Sequence, residues 1–338
     1  MLKEKTTRGR ARTRREASTG WPARLVLRRL ITAAAILLVV SLVVFFLTQA
    51  LPGDVVHQIL GQTATDEQIA RLRAELGLDR PLVAQYLDWF SGILRLDFGT
   101  SLTSGTPVAD LVGDRMAATL VLVAVTAAIL LPVAFTLGTL AARRPGGVLD
   151  HLVSGAATVL LSLPEFVVGI LLVLLLATNI WPVLPPTSVV SGNQRVWDDP
   201  RLMVLPVLTL VLTAMPYLTE SVKTAVRDEL ASDHIRWARL SGIGERRILL
   251  RHALPNAVGP SLQVSAMTLT YLLGGTVTIE VVFAYPGLGS ALVSAVADRD
   301  VTVVQGIVMV VAALSLLLYL LVDLLGALAA PRSKGRAG

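Results

Sequence analysis

The stretch "HIRWARLSGIGERRILLRHALPNA", residues 234–257, packs five arginines, two histidines, a Gly-x-Gly pair and a Leu-Pro ending into 24 residues. It is too polar to cross a bilayer and far longer than a hairpin turn needs. Ile235, Ala238 and Leu240 among charges predict a helix over 228–240, which Gly242 and Gly244 break. Glu245 then opens a second helix, an acidic side chain where the positive end of a helix dipole favours one. That helix is expected to run to Leu254 and to bend or stop at Pro255. The spacing therefore predicts a helix–turn–helix elbow lying on one face of the membrane. Small Ala238 and Gly242 would let another surface come close, and Arg236, Arg239, Arg246 and Arg247 offer donors for its carbonyls and carboxylates.

The elbow matters because of what flanks it. Of the 338 residues 54% are hydrophobic and only 16% charged; mean hydropathy is +0.67. The apolar residues gather in runs of about 20 or more, the length needed to cross roughly 30 Å of hydrocarbon. Six runs fit: 30–50, 117–142, 152–180, 203–222, 262–283 and 303–329. The first, "LITAAAILLVVSLVVFFLTQA", has a basic lead and ends on small Ala50. Its apolar core is longer than that of a cleaved signal peptide, so an uncleaved anchor is expected.

Basic residues assign the sides. The tail 1–29 has ten Lys+Arg, the loop after the second run has Arg143 and Arg144, and the elbow region 223–257 has seven. Arg332, Lys334 and Arg336 end the chain. The opposite side holds 51–116, with five basic and nine acidic residues, and 181–202 with two basic ones. Both termini and the elbow are thus expected in the cytoplasm. The sequence pI near 10 is accounted for by this bias, with no need for a nucleic-acid partner.

Segment 51–116 carries its own helix punctuation: Thr65 with Gln68 three residues on, and Gly77 as a stop; Pro81 followed by the stripe Leu82, Tyr86, Phe90; and a third start at Thr106–Pro107. A small external helical cap is expected, with a membrane-spanning core over 117–332 and a short tail 333–338. Pro132, Pro164, Pro206 and Pro216 interrupt apolar runs, and Gly138, Gly169, Gly274 and Gly275 offer smooth helix faces. Glu165, Glu220, Glu280 and Asp323 lie in or beside the runs. Glu165, near mid-depth, and Glu280, near the outer end, are candidate pathway carboxylates, because an ionised group in a membrane needs a partner or a wet cavity. A structural hydrogen bond near Pro164 is the other reading of Glu165.

Several chemistries are excluded. None of the four lysines follows a glycine, so no phosphate loop of the Gly-Lys-Ser/Thr kind is present. There is no cysteine, no metal-spaced histidine pair and no G-x-S-x-G serine. The chain reads as non-catalytic, with neither cofactor nor metal of its own.

The elbow resembles the cytoplasmic "EAA" loop of ABC-importer permeases, whose pattern is E-A-A, three residues, G, nine residues, I, one residue, L-P. With Gly242 on the glycine, Ala238 takes the second alanine and Leu254–Pro255 the ending; Arg236, Trp237 and His252 depart from the pattern. "R-x-A-R-x-x-G" followed by "E-R-R-x-L-x-R-H-A-L-x-N" is similar to the dipeptide/oligopeptide (and nickel) permease subfamily. So are "LPGD" at 51–54, "LGLDRPLVAQYLDW" at 76–89, "LDFGTSLTSGTPVADLV" at 96–112, "SLPEFVVGILLVLLLA" at 162–177 and "EVVFAYPGLGSALVSAVADRDVTVVQG" at 280–306.

The resemblance implies an all-α polytopic membrane protein with six transmembrane helices in the type I ABC-importer permease fold. It implies a bacterial cytoplasmic-membrane location and a pathway shared with a second homologous permease. Two ATPase subunits, or a fused pair, would bind ATP and Mg below, and an extracytoplasmic binding protein would deliver peptides. Arg236, Ala238, Arg239, Gly242, Glu245, Arg246, Leu254 and Pro255 would then form the ATPase-coupling surface. Nickel, oligosaccharide, glutathione or haem-like cargo stays open within the same role. An ion-coupled secondary transporter is the competing reading; it calls for paired intramembrane ionisable groups and internal repeats, and the sequence offers one mid-depth carboxylate and no repeat.

Overall fold

A computed structural model describes residues 21–49, 65–75, 79–178, 180–190, 192 and 194–329. The basic tail up to residue 20, the 51–54 tetrapeptide, Gly77, the side chain of Asp323 and the C-terminal Arg332, Lys334 and Arg336 lie outside the described residues. Those residues form helices and loops, with one isolated bridge, Thr100 to Pro107, and no strand among them. The chain divides into two units, 1–52 and 53–338.

The first unit contributes α1 (Trp21–Gln49), 29 residues long. At 1.5 Å per residue it spans about 44 Å, enough to cross a bilayer. Its hydroxyls are satisfied within the helix: Thr32 donates to the Arg28 carbonyl at 2.9 Å and Thr48 to Val44 at 2.8 Å.

The second unit opens with α2 (Asp66–Glu75) and α3 (Leu82–Leu94). The expected capping box is present, the Thr65 amide donating to Gln68 Oε1 at 3.0 Å and the Gln68 amide to Thr65 Oγ1 at 3.4 Å. On α3, Tyr86 and Phe90 stack with ring centroids 5.7 Å apart. The third external helix is a correction: Val108 begins α4 (Val108–Ala142), a single 35-residue helix that absorbs both it and the 117–142 run. No proline interrupts the junction, and Gly113 is carried inside the helix. Val108 and Val112 are buried against α11 (Leu288–Ala297) and α12 (Val301–Ala329), so packing carries the helix outward past its apolar part.

The 152–180 run is also not one helix. It forms α5 (Val148–Leu161) and α6 (Glu165–Val173, ending in a π turn through Thr178), bent by 101°. Pro164, with φ −60° and ψ 145°, cannot donate a helical hydrogen bond and pushes its predecessor out of the helical region. By contrast α7 (Arg201–Leu230) runs straight through Pro206 and Pro216. Pro206 has no N–H to give the Leu202 carbonyl; Ser188 donates its hydroxyl there instead, at 2.6 Å.

α4, α7 and α10 (Leu254–Val282) make the centre of the bundle, around Leu122, Leu130, Leu205, Leu210, Leu218, Leu272 and Ile279. Gly138 of α4 packs so closely that an added Cβ would lie 2.8 Å from the Thr219 carbonyl of α7. The start of α4 lies near Trp197, just before α7, and Gly138 near Thr219 and Val222, so α4 and α7 run in the same direction. The α5–α6 pair must therefore carry the chain back across. Counted as one broken crossing, it brings the five long apolar helices to six spans.

Candidate coupling elbow and pathway carboxylates

After α7 ends at Leu230, two residues turn the chain into α8 (Asp233–Leu240), then a four-residue turn leads to α9 (Glu245–Ile248). The expected start at 228 is thus corrected: 228–230 are the last turn of α7. Ser232 makes the break by donating its hydroxyl back to the Glu229 carbonyl at 2.6 Å.

The joint is a Schellman closure. The Gly242 amide donates to the Arg239 carbonyl at 3.0 Å and the Ile243 amide to Ala238 at 3.1 Å. This requires φ of +79° at Gly242, in the left-handed region where a side chain is strained. Across the joint Arg239 pins Glu245 with two bonds, Nε to Oε1 at 2.7 Å and Nη2 to Oε2 at 3.2 Å. That pairing holds the Arg239 guanidinium above its usual value.

Two faces result. Inward, Ile235 and Ile248 are 0% exposed and belong to the same buried cluster as Val226 of α7 and Ala257 of α10; Ala238, Ile243 and Leu254 pack against it. Outward, Trp237 is 70% and Leu240 79% exposed, with Arg236, Arg246 and Arg247 around them. Among the described residues Arg236 pairs with Asp233 alone, at 3.8 Å. Ala238 therefore belongs to the inner face: its small side chain seats α8 on the bundle.

The second elbow helix does not stop at Pro255. A π turn, Leu249–Ala253, joins α9 to α10, and Pro255 sits in the first turn of α10. The wider turn ahead of the ring relieves the clash a proline makes with the carbonyl four residues back. Residues 245–282 are in consequence one continuous helical rod.

The two candidate pathway carboxylates have different surroundings. Glu165 opens α6, half-buried, where it accepts from the Tyr271 hydroxyl of α10. Gly275 leaves it room, since a Cβ there would lie 3.2 Å from the carboxylate. Both line an open depression of about 470 Å³ with Phe166 and Thr278. Glu280 is fully buried. Its oxygens take the Thr119 hydroxyl at 2.7 Å and the amides of Gly289 and Ser290 at 2.6 and 3.0 Å. It closes the N-terminus of α11 as an acceptor for those amides, with no exposed face.

The family comparison can be set on this geometry. The model for "Binding-protein-dependent transport system inner membrane component" matches residues 134–335, and its N-terminal companion matches 23–123. The chain belongs to this family of ABC transporter permeases. Among curated relatives, this permease is 34% identical to a "Probable peptide ABC transporter permease protein y4tP" of Sinorhizobium fredii, over 91% of the chain and 98% of the relative. It is 32% identical to the "Dipeptide transport system permease protein DppB" of Escherichia coli strain K12, over 91% and 97%. It is 30% identical to the "Oligopeptide transport system permease protein AppB" of Bacillus subtilis, over 92% and 99%.

In the permease, sequence reasoning missed three things beside the elbow. Glu229 is a clasp: its Oε1 accepts from Asn256 Nδ2 of α10 at 2.7 Å and lies 3.0 Å from His234 Nε2 of α8. Lys223, grouped with the loop cations on sequence, is instead buried, bonded to Glu220 at 2.6 Å, Asp150 at 3.2 Å and Ser154 at 2.6 Å. Arg227 joins the same Asp150, tying α5 to α7. The one signal for it was a lone lysine three residues after Glu220 in an otherwise lysine-free stretch. The third is Tyr271, partner of Glu165, which no spacing rule connects across 106 residues.

Proposed function

We propose that this permease forms half of the substrate pathway of an ATP-driven importer for peptides, in the bacterial cytoplasmic membrane with both termini inside. A second homologous permease completes the pathway, two ATPase subunits or a fused pair sit below and hold ATP and Mg, and an external binding protein delivers the peptide. The names of the curated relatives support the peptide class. The observation that carries the coupling role is the two-faced elbow, apolar side chains sunk in the core on one side and Trp237 and Leu240 standing out among arginines on the other.

The mechanics follow from the bonding. A push on the outer face of α8 cannot be absorbed in the joint, because the Gly242 closure and the Arg239–Glu245 pair fix its angle. It passes through Ile235 and Ile248, and through the Glu229 clasp, into the end of α7 and the start of α10 together. Both then move as a rigid body, opening or closing the cavity they border. Direction comes from the ATPase, whose nucleotide must favour one of the two states. Arg236, Ala238, Arg239, Gly242, Glu245, Arg246, Leu254 and Pro255 divide the work: Arg236 and Arg246 face the partner, and the others set or seat the joint. Glu165, in its open depression, is a group for the cationic end of a peptide.

The test uses the whole transporter in nanodiscs. Trp237→Glu with Leu240→Glu should leave insertion and thermal stability unchanged, while the ATPases no longer co-purify and substrate-stimulated ATP hydrolysis falls to the basal rate. Full stimulation in that variant would overturn the docking role.

A further inference from the structure

A second polar cavity lies at the opposite end of the bundle from the elbow. It has a volume of about 740 Å³ and lies between the first turns of α4, the loop before α7 and Pro286; Arg115, Arg195, Gln194 and Trp197 line it. Arg115 also lines a neighbouring depression of about 200 Å³ that is rich in hydroxyls, among them Ser104, Ser290 and Ser294. It thus stands between the two.

Arg115 is half-buried and makes no ion pair or hydrogen bond within the described chain. Glu280 is near enough to attract it, yet both Glu280 oxygens are bonded to Thr119 and the α11 amides. Arg195 is exposed, its guanidinium 5.3 Å from the centre of the Trp197 ring, and both side chains line the cavity. Asp114 is the one acidic side chain lining this cavity; Asp298 and Asp300 line the neighbouring depression, where Asp300 is already bonded to Ser101 and Thr103. A guanidinium taken half out of water with its fork unfilled is set up for a planar two-oxygen acceptor.

We infer that this cleft binds the carboxylate of the transported solute: Arg115 receives the free C-terminal carboxylate of a peptide, and Trp197 and Pro286 bound the chain behind it. This rests on the peptide-importer reading and adds where, and by which end, the peptide is first held. Glu165 on α6 then suits the ammonium end, so the two ends of the substrate are read by different residues.

The experiment uses the complete transporter with its binding protein in phosphatidylcholine vesicles. A mixed library of two- to five-residue peptides is supplied at saturation, either as free acids or as C-terminal amides, and uptake is read by mass spectrometry. Arg115→Gln should lower the maximal rate for free acids about tenfold and leave the amides unchanged, and Arg115→Lys should recover part of the loss. An equal loss for acids and amides would mean that Arg115 only balances Glu280, and would overturn the site; so would no loss at all. A loss seen only after adding phosphatidylglycerol would assign the cleft to a lipid phosphate instead, again overturning it. If the unsubstituted transporter moves neither library, the peptide reading itself fails and the carboxylate site falls with it.

Discussion

The two ends of α10 are built on opposite principles. At one end Glu280 is sealed in the protein with three donors on its carboxylate, and Gly287 and Gly289 press so close that an added Cβ would lie 2.3 Å from Glu280 and 2.5 Å from Val277. At the other end the elbow is held by pairs on the surface, Arg239 to Glu245 and Glu229 to His234 and Asn256. Buried polar groups are costly to disturb because nothing replaces the lost partner, whereas surface pairs exchange with water at little cost. The difference teaches which end is fixed and which can be moved. The α4–α10–α11 junction is an anchor closed by buried polar bonds, and the elbow is a handle seated through buried Ile235 and Ile248 and trimmed by surface pairs.

Glu280→Ala is the harshest test of that contrast. It strands the Thr119 hydroxyl and two amides, and should cost about 3 kcal/mol or more, seen as loss of folded protein in detergent melts. A variant that melts like the parent would break the anchor idea. Next comes Ala238→Asp, which drives a charge onto the inner face of α8 and should cost about 2 kcal/mol. If it left stability intact and abolished only ATPase binding, Ala238 would belong to the outer face after all.

Gly242→Ala should cost about 1 kcal/mol from left-handed backbone strain, since open space surrounds the site and no clash adds to it. Its larger effect should be on coupling, read as ATP hydrolysed per peptide imported.

Asp300 gives a pH test on the anchor side. Burial pushes its carboxyl up, but bonds from Ser101, the Val303 amide and Thr103 outweigh this and hold it below the usual aspartate value. A lowered folded value means that its stabilisation is complete at neutral pH and is lost only as pH falls below the ordinary aspartate range, near 4. Asp300→Asn should flatten the acid limb of a stability profile; an unchanged limb would remove Asp300 from the account. Smallest of all, Arg239→Gln should change stability by about 0.5 kcal/mol or less, as an exposed pair does.

Much of this was legible in the residues. Six apolar runs, the basic bias, the Thr65–Gln68 box and the broken elbow around Gly242 follow from composition and local backbone chemistry, which act over a few residues. Other features were misread for a consistent reason. Pro164 and Pro206 look alike in an apolar run; one breaks its helix and the other stays inside a continuous one, where Ser188 from a separate loop satisfies the Leu202 carbonyl. Pro255 was expected to bend or stop a helix, and a π turn ahead of it lets the helix continue. Glu280 and Glu165 both read as acidic residues within apolar runs, and only their neighbours decide that one is sealed and the other open.

The sequence by itself determined that this chain spans the membrane with several apolar runs, and that a polar segment between two of them carries a jointed basic elbow. Those are consequences of hydrophobicity, charge and glycine, properties each residue carries wherever it goes. Only the tertiary structure decided which face of the elbow is buried, that Lys223 and Glu280 are locked within the protein, and that Arg115 stands unpaired beside a cavity. A side chain's partners are set by packing between segments far apart in the chain, 69 residues for Lys223 and Ser154 and 161 for Glu280 and Thr119, and packing is a property of the folded whole.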